Sequence, residues 1–282
     1  MNSQLIQKKN CNKIQFGGGF ILLQTSDGQV YGLGENYKGQ LGIGDLGFKH
    51  QFSRIVFDTQ EQIIDISAGY QHSIFLTQSG FLYGTGRSNW HQIVPYLNDN
   101  QQSREYNDYY TNPKRMVIPN EKVVKLSAGF SHTIFLTVSG KLFALGLNNH
   151  GQCGTSNLNN TTIDQFNEIY VDLDYNEKII DLAAGKSHNI FITNQCSPKQ
   201  VFIEMENGEF PLKVKAKFDR NAVFTNFGNC YVWGGEDLSK IGAENYSEIK
   251  NIRKDLQRDL KTNEDFQIKD IGLGYLHTLV LV

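Results

Sequence analysis

Short runs of alternating apolar and polar residues recur along this chain and predict β-strands. Residues 62–67 (QIIDIS), 122–127 (KVVKLS) and 178–183 (KIIDLA) alternate apolar and polar side chains over part of their length. This is the period at which side chains point to one face of a strand. In the first two cases an aromatic-rich run follows, and a T-x-S-G turn then leads to a further run. This arrangement predicts a strand followed by a tight hairpin.

The same segment is repeated along the chain. SAGYQHSIFLTQSGFLYGTG (67–86) and SAGFSHTIFLTVSGKLFALG (127–146) are close copies, and FGGGFILLQTSDGQVYGLG (16–34) keeps the same glycine and threonine offsets. A degraded copy covers 216–234, where Lys217 and Arg220 replace the early glycine and histidine, and the stretches 183–196 and 272–282 match the front half alone. The repeat therefore has six phases, at 17, 69, 129, 185, 217 and 274.

A unit of about fifty residues with three or four strands predicts an all-β fold, a β-propeller of five to six recognisable units. Such a unit cannot bury both faces of its sheet alone, so neighbouring units must pack against each other. A linear solenoid fits less well, because the spacing is too long for β-helix coils and the helical half of a leucine-rich repeat is absent. We expect one domain, 1–282, with irregular insertions at about 98–115 and 247–266.

The repeat resembles that of the regulator of chromosome condensation family, whose unit reads A-G-x-x-H-S-x-x-L-T-x-x-G-x-V-Y-x-W-G-x-N-x-x-G-Q-L-G. The stretch 68–86 matches its first part and 34–42 matches its tail, as does the segment FALGLNNHGQCGTS at 143–156. The resemblance covers the chain from about residue 12 and implies a propeller. Members of the family commonly close a ring of seven blades, whereas this chain shows six repeat phases. We therefore expect seven blades, a smaller ring or an incompletely closed ring. An N-terminal strand that completes the last blade is one way of closing it.

The recurring glycines and histidines are interpreted as structural. These repeat positions are Gly69, His72, Gly80, Gly129, His132, Gly140, Gly185, His188 and His277. A ring of metal-binding histidines is the alternative, but zinc needs each ligand nitrogen at about 2.0–2.1 Å, and other units have Phe20 or Arg220 at this position. We therefore expect no metal, and histidines that hydrogen-bond to the backbone of a neighbouring blade.

Composition and charge narrow the possible functions. The formal net charge of −2 gives no general attraction to nucleic acid or to membranes. The four cysteines lie far apart and are expected to be buried free thiols. The glycine-rich stretches lack the G-x-x-x-x-G-K-[ST] pattern of a phosphate-binding loop, so we expect no cofactor. No catalytic set of residues is evident, and the chain is not expected to be an enzyme.

Two stretches depart from the repeat and are candidates for partner binding. The first is 98–115, with anchor-type side chains at Arg104, Tyr106, Tyr109 and Tyr110; an insertion without a role is the alternative. The second is 247–266, where apolar residues at helical spacing are surrounded by Arg253, Lys254 and Arg258. A short amphipathic helix and a degenerate strand remain equal alternatives for this stretch.

The leading hypothesis is a non-enzymatic interaction scaffold that binds other proteins as a subunit of a larger assembly. The N-terminus lacks an apolar signal segment, so we expect the cytoplasm. The family resemblance adds the cytoskeleton or cilium, with the nucleus as an alternative. It also implies a second function, guanine-nucleotide exchange on a small Ran-like GTPase. Photoreceptor relatives depend on tryptophan clusters, and this chain has only Trp90 and Trp233.

Overall fold

The structure, a computed structural model, describes residues 11–93, 108–155, 160–195, 208–234, 250–252, 268, 270–273 and 278–281. The residues described include twenty β-strands arranged in six sheets. The chain divides into two compact units, 1–170 and 171–282, each with three sheets. The predicted all-β class is confirmed.

In the first unit, each sheet is a four-stranded antiparallel meander in which strands adjacent in sequence are paired. Sheet 1 contains β1 (Cys11–Phe16), β2 (Phe20–Thr25), β3 (Val30–Gly34) and β4 (Lys49–Ile55). Sheet 2 contains β5 (Ile63–Ala68), β6 (His72–Thr77), β7 (Leu82–Arg87) and β8 (Tyr109–Met116). Sheet 3 contains β9 (Val123–Ala128), β10 (His132–Thr137), β11 (Leu142–Leu147) and β12 (Thr162–Ile169).

The second unit has one sheet of the same size and two smaller ones. Sheet 4 consists of β13 (Ile179–Ala184) and β14 (Asn189–Thr193), and sheet 6 of β19 (Asp270–Leu273) and β20 (Thr278–Leu281). Between them in sequence, sheet 5 contains β15 (Pro211–Lys217), β16 (Arg220–Thr225), β17 (Cys230–Trp233) and β18 (Lys250–Asn251).

The six repeat phases fall on the six sheets. Gly17, Gly69, Gly129 and Gly185 each come directly after the first strand of a sheet, and each donates its N–H to the carbonyl oxygen three residues later, at 2.8–2.9 Å. Phase 217 is the last residue of β15, and phase 274 follows β19. The expectation that the phase glycines occupy equivalent elements is confirmed.

The predicted hairpins are also confirmed, and their glycines have the backbone conformation that the turn requires. Gly28, Gly80, Gly140 and Gly228 have φ between 74° and 87°. Each donates its N–H to the threonine that ends the second strand, at 2.9–3.0 Å. A side chain at these positions would be strained, because φ near +80° lies in the left-handed region.

Within each unit, a hydrophobic core forms where one sheet packs on the next. Ile66 and Ala68 of β5 pack with Phe20 and Leu22 of sheet 1. In the same way, Leu126 and Ala128 of β9 pack with sheet 2, Val214 of β15 packs with sheet 4, and Ile271 and Leu273 of β19 pack with sheet 5. The face of a sheet that packs on the preceding sheet is called its leading face below.

Part of the predicted insertion at 98–115 is regular structure, and that prediction is corrected. Residues 109–115 belong to β8, which pairs antiparallel with β7, with a register shift between Gly84 and Gly86. The strand was missed because it is the outer strand of its sheet. Its mixed exposure removes the alternating pattern, and an edge strand tolerates Pro113.

The second off-pattern stretch, 247–266, lies mostly outside the described residues. Within it, Lys250–Asn251 forms the short strand β18, paired with β17, and Ile252 is buried in a core cluster. The predicted burial holds for Cys153 and Cys230 but is wrong for Cys11, which is exposed. Cys196 lies outside the described residues.

Candidate functional site

The third strand of sheets 1 and 3 leads into a loop held by one asparagine. Asn36 Oδ1 accepts the N–H of Leu41 at 2.9 Å, and its amide donates to the carbonyl oxygen of Asp45 at 2.8 Å. Asn148 repeats the arrangement, accepting from Cys153 N at 2.8 Å and donating to Asn160 O at 3.0 Å. These two loops, together with the corresponding loop after β7, are called the tail loops.

A glutamine fixes each tail loop a second time. The side-chain oxygens of Gln40 and Gln152 each accept the backbone N–H two residues earlier, at 2.9 Å. Gln92 does the same at 3.0 Å, so residues 88–93 belong to the tail loop of sheet 2. In this loop Ser88 replaces the asparagine, and His91, with φ of 59°, replaces the glycine.

This middle tail loop was missed by sequence reasoning. The stretch RSNWHQI keeps the glutamine but lacks both the asparagine and the glycine that define the motif. The spacing of Gln92 from Gly86 was the signal that could have identified it, since Gln40 has the same spacing from Gly34.

The residue types at the tips of the tail loops differ between the three sheets. The tips are the two residues before the glycine, or before His91 in sheet 2. The side chains at the tips are aromatic, basic or amides, and all six are at least partly exposed. They are Tyr37 and Lys38, Asn89 and Trp90, and Asn149 and His150. The repeat therefore fixes the loop backbone while presenting a different pair of side chains on each sheet.

Other large side chains lie at the same end of these sheets, because the first and third connections of a meander emerge together. Tyr70 and Phe130, in the first connections of sheets 2 and 3, stack with ring centroids 4.1 Å apart and planes at 12°. Lys38 Nζ lies 5.8 Å from the ring of Tyr109. Arg87 donates to Gln71 at 2.9 Å and to Asn89 at 2.7 Å, which ties the two connections together. This region is called the tail-loop end.

Comparison with known families identifies the repeat. A model of the Regulator of chromosome condensation (RCC1) repeat matches residues 27–76 and 139–192, and a second RCC1 repeat model matches 63–92 and 123–152. The chain is an RCC1-repeat β-propeller. The matched segments include all three tail loops, so the asparagine and glutamine bonds described above belong to the RCC1 repeat.

Curated relatives share this repeat over much of the chain. The Ultraviolet-B receptor UVR8 of Arabidopsis thaliana is 27% identical over 70% of this chain, and the Probable E3 ubiquitin-protein ligase HERC4 of Homo sapiens is 30% identical over 79%. An RCC1 repeat-containing protein of Dictyostelium discoideum is 26% identical over 99%. The chain spans 41%, 20% and 51% of these three proteins, respectively.

Solved structures show the same fold. The crystal structure of yeast RCC1 (Prp20) bound to Kap60 matches with a TM-score of 0.72 and 17% identity, covering 98% of this chain and 66% of that one. A crystal structure of Prp20p from Saccharomyces cerevisiae, a protein studied for its binding to Gsp1p and histones, matches with a TM-score of 0.67 and 17% identity. It covers 88% of this chain and 63% of that one.

Two of the repeat histidines contact the next sheet: His72 is buried and His188 is partly buried. His72 Nε2 lies 3.2 Å from Thr133 Oγ1 of the next sheet, and His188 lies 2.7 Å from the side-chain amide of Asn221. Both of these contacts are to side chains of the next sheet, where the backbone of a neighbouring blade was expected. Since the Thr133 hydroxyl donates its proton to Gln92 O at 3.1 Å, His72 donates through Nε2. His132 is also buried, and His277 lies outside the described residues.

The structure places the predicted partner-binding residues in different environments. Tyr109 is partly exposed at the tail-loop end, beside Lys38. Tyr110 is buried in the core between sheets 2 and 3, so its prediction as a contact residue is corrected. Neighbouring strand residues face opposite sides of a sheet, and the sequence did not reveal which tyrosine points inward. Arg104, Tyr106, Arg253, Lys254 and Arg258 lie outside the described residues, and their roles stay predictions.

The described tail-loop end has the side chains of a binding surface. Aromatic residues supply large contact areas at a modest entropy cost, and amides and cations add directional hydrogen bonds. In the part of the chain that the structure describes, no group of three or more metal-binding side chains occurs. Nor does any helix there have the length and apolar character needed to cross a membrane.

Proposed function

We propose that this RCC1-repeat propeller is a non-enzymatic interaction scaffold, a subunit of a larger assembly that binds a protein partner through its tail-loop end. One observation carries the proposal. The RCC1 repeat fixes each tail-loop backbone through its asparagine or serine and its glutamine, yet the tips differ on every sheet. A rigid frame with variable tips is the arrangement expected of a recognition surface.

The similarity to other RCC1-repeat proteins supports an interaction or regulatory role in general terms. Assignment to a cytoskeletal or ciliary assembly, in the cytoplasm, is part of the proposal. In this proposal the partner surface also includes the off-pattern stretches 98–115 and 247–266, whose predicted contact residues Arg104, Tyr106, Arg253, Lys254 and Arg258 lie outside the described residues.

Pull-downs from native extract test the surface. The triple variant Tyr37→Ala, Trp90→Ala, Tyr109→Ala should weaken capture of the partner at least about tenfold, equivalent to about 1.4 kcal/mol of binding free energy. Tyr170→Ala is the matched control, because this exposed tyrosine follows β12 and so lies at the opposite end of its sheet. Equal loss of the partner in the control, or no loss in the triple variant with the fold intact by circular dichroism, would exclude the tail-loop end.

Guanine-nucleotide exchange is the second candidate, favoured by the fold that the chain shares with Prp20. We expect the purified protein to leave nucleotide release from Ran-like GTPases unchanged. A panel of GTPases loaded with fluorescent nucleotide measures this directly. Acceleration beyond about a hundredfold, nearly 3 kcal/mol of barrier lowering, would replace the scaffold proposal with an exchange factor.

A further inference from the structure

A buried hydroxyl group lies on the leading face of sheet 2, where this face meets the tail loop of sheet 1. It belongs to Thr85, the fourth residue of β7, which is fully buried. The strand register places Leu33 of sheet 1, Leu145 of sheet 3 and Trp233 of sheet 5 at the equivalent position. Large hydrophobic side chains therefore fill this position in the other three sheets. A buried hydroxyl group is costly unless it is hydrogen-bonded, so the partners of Thr85 indicate its role.

The hydroxyl group of Thr85 links two segments of the tail-loop end. Its oxygen lies 2.9 Å from Gly39 O, in the tail loop of sheet 1, and 2.7 Å from Tyr110 O, in β8. A hydroxyl group has one proton to donate, and these two carbonyl oxygens share it. The residues directly before the two carbonyl groups are Lys38 and Tyr109, and Lys38 Nζ lies 5.8 Å from the ring of Tyr109. Thr85 thus holds the backbone beside both members of this pair.

The tail loop of sheet 1 packs closely on β8 around this hydroxyl group. A methyl group on Gly39 would lie 2.6 Å from Tyr110 O, so the backbones approach as closely as glycine allows. Further along the loop, Gly44 N donates to Thr111 O at 2.9 Å. The loop and β8 are therefore in contact over several residues, and the side chain of Thr85 hydrogen-bonds to both.

The tail loop of sheet 2 has only part of this arrangement. The hydroxyl group of Thr133 donates to Gln92 O at 3.1 Å, and the tail loop of sheet 1 receives an equivalent bond. Leu145, however, occupies the position of Thr85 on sheet 3 and has no hydroxyl group to donate. The link from a tail loop to the outer strand of the next sheet through this position therefore distinguishes the pair formed by sheets 1 and 2 from the pair formed by sheets 2 and 3.

We propose that Thr85 is a positioning residue that fixes Lys38 and Tyr109 relative to each other, so that side chains from two sheets contact the partner as one unit. This inference rests on the proposed binding through the tail-loop end and identifies what holds part of that surface in place. Groups that are fixed before binding lose less conformational entropy when the partner binds, and therefore bind more tightly.

Amide hydrogen exchange on the purified protein, resolved by residue with NMR, tests the positioning. Thr85→Val removes the hydroxyl group with little change of shape. It should speed the exchange of Gly44 N–H at least about fivefold, because the loop is held less firmly on β8. Thr85→Ser keeps the hydroxyl group, and its Gly44 N–H should exchange like that of the wild type. Unchanged exchange of Gly44 in Thr85→Val would overturn the proposal.

Thr77→Val is the matched control, because it removes a second buried threonine hydroxyl group from the same sheet. Thr77 is fully buried at the end of β6, and its hydroxyl oxygen accepts the N–H of Phe81 at 3.1 Å, in the hairpin at the opposite end of the sheet. This variant should speed the exchange of Phe81 and leave Gly44 unchanged. If Thr85→Val and Thr77→Val each speed both amides alike, the effect is a general loss of stability and Thr85 has no positioning role.

The pull-down from native extract then tests whether the partner uses the fixed pair. Thr85→Val should reduce capture about fivefold or more, whereas Thr85→Ser and Thr77→Val should capture the partner like the wild type. If the triple variant Tyr37→Ala, Trp90→Ala, Tyr109→Ala loses the partner but Thr85→Val retains it, the positioning proposal is wrong and the proposed surface stands. If the triple variant also retains the partner, the proposed surface is wrong, and with it the binding role of Thr85.

Discussion

Glycines of the same conformation are constrained differently at different places in this propeller. Gly86 is the next-to-last residue of β7 and has φ of 98°, and Gly47 lies in a tail loop with φ of 96°. A methyl group on Gly86 would overlap the carbonyl oxygen of Gln71, whereas one on Gly47 would meet no atom within 4 Å. Gly34 and Gly146 repeat the crowded arrangement against Gly19 O and Ser131 O, the latter at 2.6 Å. The repeat therefore requires glycine here for close backbone approach as well as for φ.

Substituting these two glycines separates the two effects. Gly47→Ala should cost about 1–2 kcal/mol of unfolding free energy, the ordinary penalty of a left-handed alanine. Gly86→Ala should cost at least about 1–2 kcal/mol more, because the carbonyl oxygen must also move. Urea denaturation followed by circular dichroism measures both. Equal losses would show that the backbone relaxes at Gly86 and that conformation alone selects glycine.

At the level of the strand and its turn, a glutamate joins the start of a sheet to its hairpin. Glu61, Glu121, Glu177 and Glu209 each stand two residues before a first strand. Ser79 N donates to Glu61 at 3.2 Å, Ser139 Oγ to Glu121 at 2.8 Å, and Thr193 Oγ1 to Glu177 at 2.6 Å. Glu209 accepts from Asn229 at 2.8 Å and from Tyr231 at 3.0 Å. The position carries a carboxylate because hairpin N–H and O–H groups need an acceptor.

This contact makes part of the stability depend on pH. Hydrogen bonding by the Ser79 side chain is the main cause that lowers the pKa of Glu61 below its ordinary value of 4.5. A carboxyl whose folded pKa is depressed stabilises the fold above its unfolded pKa and loses this contribution as the pH falls through its folded pKa. Glu61→Gln should therefore be less stable than the wild type near neutral pH, and the difference should shrink below about pH 4.5.

Denaturant midpoints from pH 7 downward measure the effect. Ser79→Ala should reproduce part of it, and the double variant should lose less than the sum of the two single losses, because the two residues act through one contact. If the midpoints of the wild type and of Glu61→Gln differ by the same amount at every pH, the glutamate acts through packing and not through its charge.

On the scale of the whole molecule, the chain forms two compact units with separate core clusters. Each unit contains one tryptophan, Trp90 in the first and Trp233 in the second. Trp233 packs against the core formed by sheets 4 and 5. The two residues therefore report separately on the unfolding of each unit, which addresses the prediction that 1–282 is a single domain.

We expect the variants Trp90→Phe and Trp233→Phe to show fluorescence transitions at the same denaturant concentration. Phe75→Ala, which removes a fully buried ring between sheets 1 and 2, should cost about 3–5 kcal/mol. In a single domain, Phe75→Ala lowers the denaturation midpoints reported by Trp90 and by Trp233 together. A shift confined to the Trp90 signal would mean that the two units unfold independently and that the single-domain prediction is wrong.

The sequence determined the repeating part of this protein because backbone requirements reappear at fixed offsets. The hairpin glycines, the six phases and the tail motif of sheets 1 and 3 all follow from local turn geometry, which a short stretch of chain encodes alone. The recognition of an RCC1-type propeller rested on the same residues. Strand β8 and the tail loop of sheet 2 were missed, because an outer strand has no alternating pattern and because serine and histidine replace the expected residues.

Only the tertiary structure decided which side chains face a neighbour and which face solvent. Tyr109 and Tyr110 are identical in type and adjacent in sequence, yet one is partly exposed and the other is buried, since strand register assigns them to opposite faces. Ile14 occupies the same repeat position as Ile66 and has the same side chain, but it is exposed while Ile66 is buried. The physical reason is that burial depends on the neighbour that packs on a strand, which the sequence of the strand itself does not encode: Ile66 packs with Phe20 and Leu22 of sheet 1.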